Sequence, residues 1–231
     1  MKYAFPPLPP VSVPIAGTDL SFPVHRVYCV GRNYAEHARE MGFTGREPPF
    51  FFMKPADALV VVGEGCVGEI PYPPGTSSLH HEIELVIAIG QGGHDIAATE
   101  AMRHVYGYAV GLDMTRRDLQ NEAKKLGRPW EIGKSHDSSA PIGPIVPREQ
   151  AGDVADAAIS LSVNGETRQS SRTGQLTWKI GEIVEHLSRY WTLLPGDLVF
   201  TGTPEGVGEV RSGDLMRGGI DGVGALDVRI V

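Results

Sequence analysis

The most regular alternation of hydrophobic and polar residues lies between residues 80 and 89, and it predicts a β-strand. Every second position there is aliphatic: Ile83, Leu85, Ile87 and Ile89. Because side chains two residues apart in a strand point to the same face, Glu82 and Glu84 share the opposite face. A second apolar run, residues 106–112, ends at Asp113. If the two runs form neighbouring strands, three carboxylates meet at their ends.

The rest of the chain predicts many short strands and few helices. Strands are predicted over residues 27–30, 50–53, 59–62, 158–163 and 198–201, and helices over residues 34–41, 95–103, 115–125 and 180–190. Asn164-Gly165 predicts a tight hairpin, and residues 127–147 an ordered loop region around Trp130 and Lys134. With 29 glycines, this pattern favours a β-rich α+β fold whose loops carry the site. Residues 1–20, rich in proline, are predicted to form an extended N-terminal arm before one domain over residues 21–231.

Composition and charge narrow the classes of function. A formal net charge of −7 argues against nucleic acid and anionic membrane surfaces as partners. No apolar run approaches the roughly 18 residues needed to span a bilayer, and residues 1–17 do not have the pattern of a signal peptide. Cys29 and Cys66 are too few for a disulfide framework. A reduced, cytoplasmic protein is expected.

The three carboxylates form the first candidate site. The sequence shows no cation opposite Glu82, Glu84 and Asp113, and three close carboxylates cannot all stay ionised without positive compensation. A hard divalent ion that prefers oxygen ligands supplies it, which indicates Mg²⁺, Mn²⁺ or Ca²⁺. The alternative is that the Glu-x-Glu pair forms only the solvent face of a half-buried strand.

The predicted helix over residues 34–41 carries a candidate proton acceptor. His37 and Glu40 are three residues apart and therefore share a face of the helix. A carboxylate beside an imidazole raises its basicity, which suits the pair to take a proton from water. The short helix between Gly31 and Gly42 can open and close over a pocket. The alternative is an exposed histidine near a glutamate.

Three further residues can serve an anionic substrate. Arg117 and Gln120 lie about one helical turn apart just after Asp113, and Thr115 can cap that helix. The three carboxylates and one divalent cation sum to −1, so an anionic substrate needs the additional charge of Arg117 and Lys134. A lysine in the small-residue loop at position 134 can also stabilise an oxyanion.

A glycine-rich segment, residues 201–208, follows the strand over 198–201. It lacks the Gly-Lys-Ser/Thr ending of a phosphate-binding loop. It also lacks the third glycine and helix start of a dinucleotide-binding fingerprint. A substrate loop with Thr203 as a hydrogen-bonding group is the remaining interpretation.

Taken together, these motifs resemble the fumarylacetoacetate hydrolase family. The match runs in order from about residue 25 to the end through seven motifs: Tyr28 to Tyr34, His37 with Glu40, Lys54-Pro55, His81-Glu82-x-Glu84, Gly111 to Asp118, Gly133-Lys134-Ser135, and Pro195 to Gly208.

The resemblance implies a mixed β-roll with a short lid helix, a homodimer, and Mg²⁺ or Mn²⁺ held by Glu82, Glu84 and Asp113. It implies His37, Glu40 and Lys134 as catalytic residues, and Arg117, Gln120 and Thr203 as substrate-binding residues. The expected reaction is hydrolysis of the C–C bond of a small anionic 2,4-dioxo acid, with fumarylpyruvate giving fumarate and pyruvate in gentisate breakdown.

Several alternatives stay open at this point. An acylpyruvate hydrolase, an oxaloacetate decarboxylase, and an isomerase or hydratase can use the same scaffold. A non-catalytic metal-binding protein needs only the three carboxylates, and the additional presence of His37, Glu40 and Lys134 speaks against it.

Overall fold

The computed structural model describes residues 2–34 and 46–231, and its regular structure is mostly β-strand. The strands are β1 Ser12–Pro14, β2 Ser21–Pro23, β3 Val27–Gly31, β4 Phe50–Lys54, β5 Leu59–Val61, β6 Val67–Ile70, β7 Leu79–His81, β8 Ile83–Ile89, β9 Val105–Leu112, β10 Thr115–Arg116, β11 Ala140–Ile142, β12 Val146–Pro147, β13 Ala158–Val163, β14 Glu166–Arg172, β15 Leu198–Phe200, β16 Gly208–Val210, β17 Leu215–Ile220 and β18 Gly224–Ile230. The β-rich α+β prediction is confirmed. Most of the predicted helix over residues 34–41 lies outside the described residues.

The strands form four sheets in the described part of the chain. The largest has the order β4-β3-β15-β8-β9-β11-β5, with β12 also pairing with β9. A five-stranded sheet has the order β14-β13-β17-β18-β6, a three-stranded sheet β10-β7-β16, and β1 pairs with β2. At the centre of the largest sheet, β8 and β9 are antiparallel, and Glu84 lies opposite Gly111.

Hydrophobic residues cover both faces of β8. Ile83, Leu85, Ile87 and Ile89 are fully buried in one core cluster that includes residues of the five-stranded sheet and of a long helix. Val86 and Ala88 lie in a second cluster with Phe200 and the β1–β2 hairpin. The predicted alternation is therefore confirmed over residues 83–89, but the predicted strand over residues 80–89 is interrupted at Glu82, since residues 79–81 form β7 of the three-stranded sheet. Burying each large aliphatic side chain of β8 stabilises the fold by about 1.5–3 kcal/mol.

Three α-helices accompany the sheets in the described residues: α1 Arg117–Lys125, α2 Glu131–Lys134 and α3 Ile180–Tyr190. α3 is the predicted helix over residues 180–190. It buries residues at the i, i+3, i+4, i+7 spacing of an amphipathic helix, namely Ile180, Ile183, Val184 and Leu187. None of the helices in residues 2–34 and 46–231 combines the length and apolarity needed to cross a membrane.

The helix predicted from residue 115 begins two residues later. Thr115 and Arg116 form β10 and pair with His80 and Leu79 of β7, so their backbone groups bond to a neighbouring strand and not within the helix. The expectation that Thr115 caps α1 is wrong: the capping position is Arg116, without a side-chain hydrogen bond. The Thr115 hydroxyl donates to the carbonyl of Asp113, at 3.1 Å.

The helix predicted over residues 95–103 is also wrong. Asp95 has a φ of 49°, a left-handed conformation that starts no right-handed helix. Its amide and that of Ile96 donate to the carbonyl and the hydroxyl of Ser188 in α3, at 3.1 and 2.9 Å. Only a single 3₁₀ turn, Ala101–Arg103, forms at the end of the segment. Tertiary hydrogen bonds to α3 replace the local helical ones.

The remaining strand predictions are confirmed to within one residue at the ends. Asn164 and Gly165 join β13 to β14 with φ values of 52° and 84°, as a tight hairpin turn requires. The loop region over residues 127–147 contains α2, β11 and β12. At the N-terminus, Val13 and Ile15 are buried in the second core cluster. The division of the chain at residue 20 stays a prediction.

Candidate active site

Three carboxylates meet where β8 begins and β9 ends. Asp113 directly follows β9, and its amide donates to the carbonyl of Glu82 at 2.9 Å. Carboxylate oxygens of Glu82, Glu84 and Asp113 lie within 4.8 Å of one another, and all three residues are buried. Gly111 makes this pairing possible: a β-carbon there would lie 2.6 Å from side-chain atoms of both Phe200 and Val86.

Three cations surround these carboxylates, so the expectation of no cation opposite them is wrong. Lys134 Nζ lies 2.7 Å from Glu82 Oε2 and 2.6 Å from Asp113 Oδ2. Lys54 Nζ lies 2.9 Å from Asp113 Oδ1, and Arg117 pairs with Glu82. Burial lowers the pKa of Lys134, but Asp113 and Glu82 outweigh it, so the pKa lies above its ordinary value and the ammonium stays charged.

Glu84 differs from the other two carboxylates. In residues 2–34 and 46–231 no side-chain cation forms an ion pair with it, and its Oε2 accepts a hydrogen bond from the Gly202 amide at 2.7 Å. Burial, and then the charges of Asp113 and Glu82, raise its pKa well above the usual range. Among the described residues, Glu84 is therefore the one carboxylate of the three without an ion pair.

This arrangement fits a divalent ion. The three donors are carboxylate oxygens, the ligands that Mg²⁺, Mn²⁺ and Ca²⁺ prefer. An ion placed among them compensates Glu84 and favours its ionised form. Asp113 Oδ1 accepts no well-directed hydrogen bond although it lies close to Lys54, so it also has a lone pair for an ion.

The predicted substrate residues lie around the carboxylates. Arg117 and Gln120 lie one turn apart on α1 and are buried, and Arg117 Nη1 donates to Gln120 Oε1 at 2.5 Å. Thr203 lies in the loop after β15, and its hydroxyl donates to the carbonyl of Ile83 at 2.8 Å. All three residues line one cleft together with Glu82, Glu84, Asp113 and Lys134. His37 and Glu40 lie outside the described residues.

The cleft also has an aromatic and cationic rim, formed by Arg32 and Trp130, and Lys124 lies beside the Trp130 ring. The Arg32 guanidinium lies 5.4 Å and Lys124 Nζ 5.0 Å from the centre of the Trp130 ring, which indicates cation–π contacts. Arg32 has a φ of 58°, an uncommon conformation for a residue other than glycine. Burial, and then Arg117 and Arg32, lower the pKa of Lys124 to about 8.

Sequence reasoning assigned no role to four residues that lie at or next to this site, namely Arg32, Lys54, Lys124 and Gln169. Arg32 and Lys54 lie in two of the family-like motifs without a stated role, and Lys124 lies in none. Lys54 ends the apolar run of β4, and a charged residue at the end of such a strand was a usable signal. Gln169 lies in β14, most of which is exposed, and nothing in the local pattern marked it as buried.

Comparisons with known proteins agree with this geometry. The model of the family "Fumarylacetoacetate (FAA) hydrolase C-terminal" matches residues 26–231. A crystal structure of fumarylpyruvate hydrolase from Pseudomonas aeruginosa, in complex with Mn²⁺ and pyruvate, is 61% identical with a TM-score of 0.97, over 100% of this chain and 99% of that chain. The chain belongs to the fumarylacetoacetate hydrolase family.

Curated relatives carry a different activity in their names. The mitochondrial oxaloacetate tautomerase FAHD1 of Rattus norvegicus is 41% identical over 88% of this chain and 90% of its own length. The oxaloacetate tautomerase YcgM of Escherichia coli is 41% identical over 89% of this chain and 93% of its own length. The family thus includes both hydrolases and tautomerases, and the Pseudomonas structure shows that a member binds a divalent metal.

Proposed function

We propose that this protein is a metal-dependent hydrolase that cleaves the C–C bond of a 2,4-dioxo acid, with fumarylpyruvate giving fumarate and pyruvate. The observation that carries the proposal is the buried three-carboxylate cluster, in which Glu84 forms no ion pair with any described residue, inside a cleft otherwise rich in cations. The 61% identity to the Pseudomonas fumarylpyruvate hydrolase supports the choice of substrate.

The charges of the described residues in the cleft favour a substrate with more than one negative charge. Lys54, Lys134 and Arg117 balance the three carboxylates, so a divalent ion, held by those carboxylates, leaves a surplus of +2, which Arg32 raises to +3. Mg²⁺ or Mn²⁺ is proposed, with Ca²⁺ able to take the place of either. When bound, the ion polarises the 2-oxo acid end of the substrate and stabilises negative charge that develops there.

The rim supplies a place for the second carboxylate of the substrate. Arg32 is held against Trp130 and against Phe50, whose ring centre lies 5.3 Å from the guanidinium. Stacking on two rings restricts the guanidinium, which then loses less entropy when it binds a carboxylate. Fumarylpyruvate carries such a distal carboxylate, and acetylpyruvate does not.

The proposed reaction is a hydrolysis with a base and an oxyanion-stabilising lysine. His37, with Glu40 behind it, takes a proton from water, and the hydroxide attacks the C4 carbonyl of the substrate. Lys134 is buried and charged and lines the cleft, and its three ammonium hydrogens go to Glu82, Asp113 and Thr115, so it stabilises the tetrahedral oxyanion through its charge. The bond between C3 and C4 then breaks, fumarate forms, and the electron pair leaves as the enolate of pyruvate, which is protonated at C3.

The test of this proposal is the variant His37→Ala, assayed with fumarylpyruvate. Loss of the base is expected to lower kcat by roughly 10²- to 10⁴-fold, while Mn²⁺ binding stays at the wild-type level. The exposed His94, exchanged to alanine, is the matched control. Near-normal turnover by His37→Ala would remove His37 from the mechanism.

The second candidate function is tautomerisation or decarboxylation of oxaloacetate, which the 41% identical tautomerases favour. Neither reaction consumes water, so neither needs a base that activates it. His37→Ala should therefore spare decarboxylation of oxaloacetate more than it spares cleavage of fumarylpyruvate. Equal losses on both substrates would favour a shared role of His37 in proton transfer to carbon.

A homodimer in the cytoplasm is the proposed form of the protein. The family resemblance motivates the dimer, and a sequence with only two cysteines, too few for a disulfide framework, motivates the compartment. Size-exclusion chromatography with light scattering is expected to give twice the chain mass of 24.9 kDa. A mass of one chain would contradict the dimer.

A further inference from the structure

Gln169 is a fully buried amide on a strand whose other residues are exposed or partly exposed. The register between β13 and β14 shifts at this point, since Leu161 pairs with Gln169 and Ser162 with Thr167. Arg168 is therefore the extra residue of a β-bulge, a feature that redirects the neighbouring side chain. The bulge coincides with the inward orientation of Gln169.

All four hydrogen-bonding positions of the amide are used. Gln169 Oε1 accepts from the Ile83 amide at 3.1 Å and from His81 Nδ1 at 3.0 Å. Gln169 Nε2 donates to Thr203 Oγ1 at 2.8 Å and to the Pro204 carbonyl at 2.9 Å. The Gln169 side chain thus links Ile83, which lies between Glu82 and Glu84, to the glycine-rich loop that carries Thr203.

The backbone partners fix which way the amide points. The Ile83 amide is a donor and needs the oxygen of Gln169, and the Pro204 carbonyl is an acceptor and needs its nitrogen. A flipped amide would lose both bonds. In the orientation that keeps both bonds, His81 Nδ1 must carry the ring proton, because it donates to Gln169 Oε1.

This orientation determines what the Thr203 hydroxyl can offer. Its hydrogen is used in the bond to the Ile83 carbonyl, and one lone pair accepts from Gln169. A hydroxyl has one donor and two acceptor positions, so Thr203 has only a lone pair left. It can accept a hydrogen bond in the cleft, and it cannot donate one to a substrate carboxylate.

Gln169 also lies where the substrate loop packs most closely on β14. Gly206, three residues after Thr203, has a φ of 87°, and a β-carbon there would lie 2.1 Å from the Arg168 carbonyl oxygen. The loop and the bulge therefore contact each other through backbone atoms on one side and through the Gln169 amide on the other.

We propose that Gln169 is a positioning residue for the substrate reaction, which holds the Thr203 loop against the carboxylate strand and fixes the Thr203 hydroxyl as an acceptor. An apolar side chain would fill the same space without the desolvation cost of a buried amide. The inference rests on the proposed function, because it acts through a residue proposed to contact the substrate.

A double-mutant cycle on the Mn²⁺-loaded protein tests it, with kcat and KM for fumarylpyruvate measured separately. Gln169→Met and Thr203→Val are each expected to lower kcat/KM roughly 10- to 100-fold. The double variant should stay within about threefold of Thr203→Val, because Gln169 has then lost the hydroxyl through which it acts. Mn²⁺ affinity should change by less than about threefold, and the exposed Ser170, exchanged to alanine, should behave as wild type.

If the losses of kcat/KM in the two single variants multiply in the double variant, or if Mn²⁺ affinity falls in parallel, Gln169 only stabilises the fold. If Gln169→Met does not fold, Gln169→Glu replaces it: the new carboxylate keeps both acceptor contacts and loses both donor contacts. The loss of kcat/KM that Gln169→Glu causes should again disappear when Thr203→Val is already present. A wild type that is inactive on fumarylpyruvate but converts oxaloacetate would refute the proposed function, and the same cycle on oxaloacetate would still decide the role of Gln169.

Discussion

The variant Lys54→Met tests how far the buried cations stabilise the carboxylate cluster when no metal ion is bound, and how far a metal ion can replace them. Lys54 and Asp113 are each about 1% exposed, and their charged atoms lie 2.9 Å apart. Methionine keeps the length and most of the apolar stem of lysine. The exchange leaves the carboxylate cluster with three negative and two positive charges, Lys134 and Arg117.

The expected cost follows from breaking one buried ion pair. Removing Lys54 lowers the free energy of unfolding by up to about 3–5 kcal/mol, because Asp113 stays buried with Lys134 as its remaining cation partner. For a domain of this size, each kcal/mol shifts Tm by about 2–4 °C, so a fall of up to about 6–20 °C is expected in EDTA. Added Mn²⁺ should restore part of the loss, because the variant cluster binds a cation more tightly than the wild-type cluster does.

Thermal unfolding in EDTA and across a Mn²⁺ titration measures both effects. The exposed Lys125, exchanged to methionine, is the matched control and should leave Tm and the Mn²⁺ response unchanged. The reasoning fails if Lys54→Met unfolds within about 2 °C of wild type in EDTA. It also fails if Mn²⁺ raises the Tm of the variant no more than that of wild type.

Four further predictions concern the site. Since the pKa of Glu84 is raised, metal binding at a pH below that pKa must displace its proton, and Mn²⁺ affinity should fall about tenfold for each pH unit by which the pH is lowered there. Calorimetry in two buffers of different ionisation enthalpy should detect the released proton. Identical binding heats in the two buffers would contradict this. For the same reason the metal-free protein should lose stability as pH rises from the ordinary glutamate pKa through the raised one, and a stability that increases over this interval would argue against a protonated Glu84. Gly111→Ala should lower the free energy of unfolding by about 1–3 kcal/mol, because its β-carbon would overlap Phe200 and Val86. Denaturant unfolding measures this, with Gly63→Ala as the control, since a β-carbon at Gly63 meets only Cys66 Sγ at 3.5 Å. Arg32→Met should lower kcat/KM for fumarylpyruvate about 10- to 100-fold more than for acetylpyruvate, and equal losses would exclude contact with the distal carboxylate.

The sequence predicts the parts of the site that depend on local order. The period-two pattern of residues 82–89 brings Glu82, just before β8, and Glu84 to one site, and the end of the next apolar run places Asp113 beside them. Helical spacing brings Arg117 and Gln120 together on α1. In each case neighbouring residues in one or two adjacent strands or helices decide the position, so their periodicity is sufficient.

The parts that were missed depend on contacts between distant segments. Lys54 reaches Met114 across 60 residues of sequence, and Gln169 reaches Ile83 across 86. Gln169 lies opposite the buried Leu161 and so on the inward face of β14, but the residues of β14 are all polar or charged, and no hydrophobic alternation marks that face. Asp95 failed as a helix start because Ser188, on another element, binds the amide of Asp95.

The central claim is metal-dependent cleavage of fumarylpyruvate, and the most direct test follows the loss of its enol absorbance. The protein is stripped of metal and then reloaded with Mn²⁺ or Mg²⁺, with oxaloacetate and acetylpyruvate assayed in parallel. The account predicts no cleavage by the stripped protein, and a fast loss after metal addition that yields equal amounts of fumarate and pyruvate. Conversion of oxaloacetate by the reloaded protein, with fumarylpyruvate left intact, would contradict it.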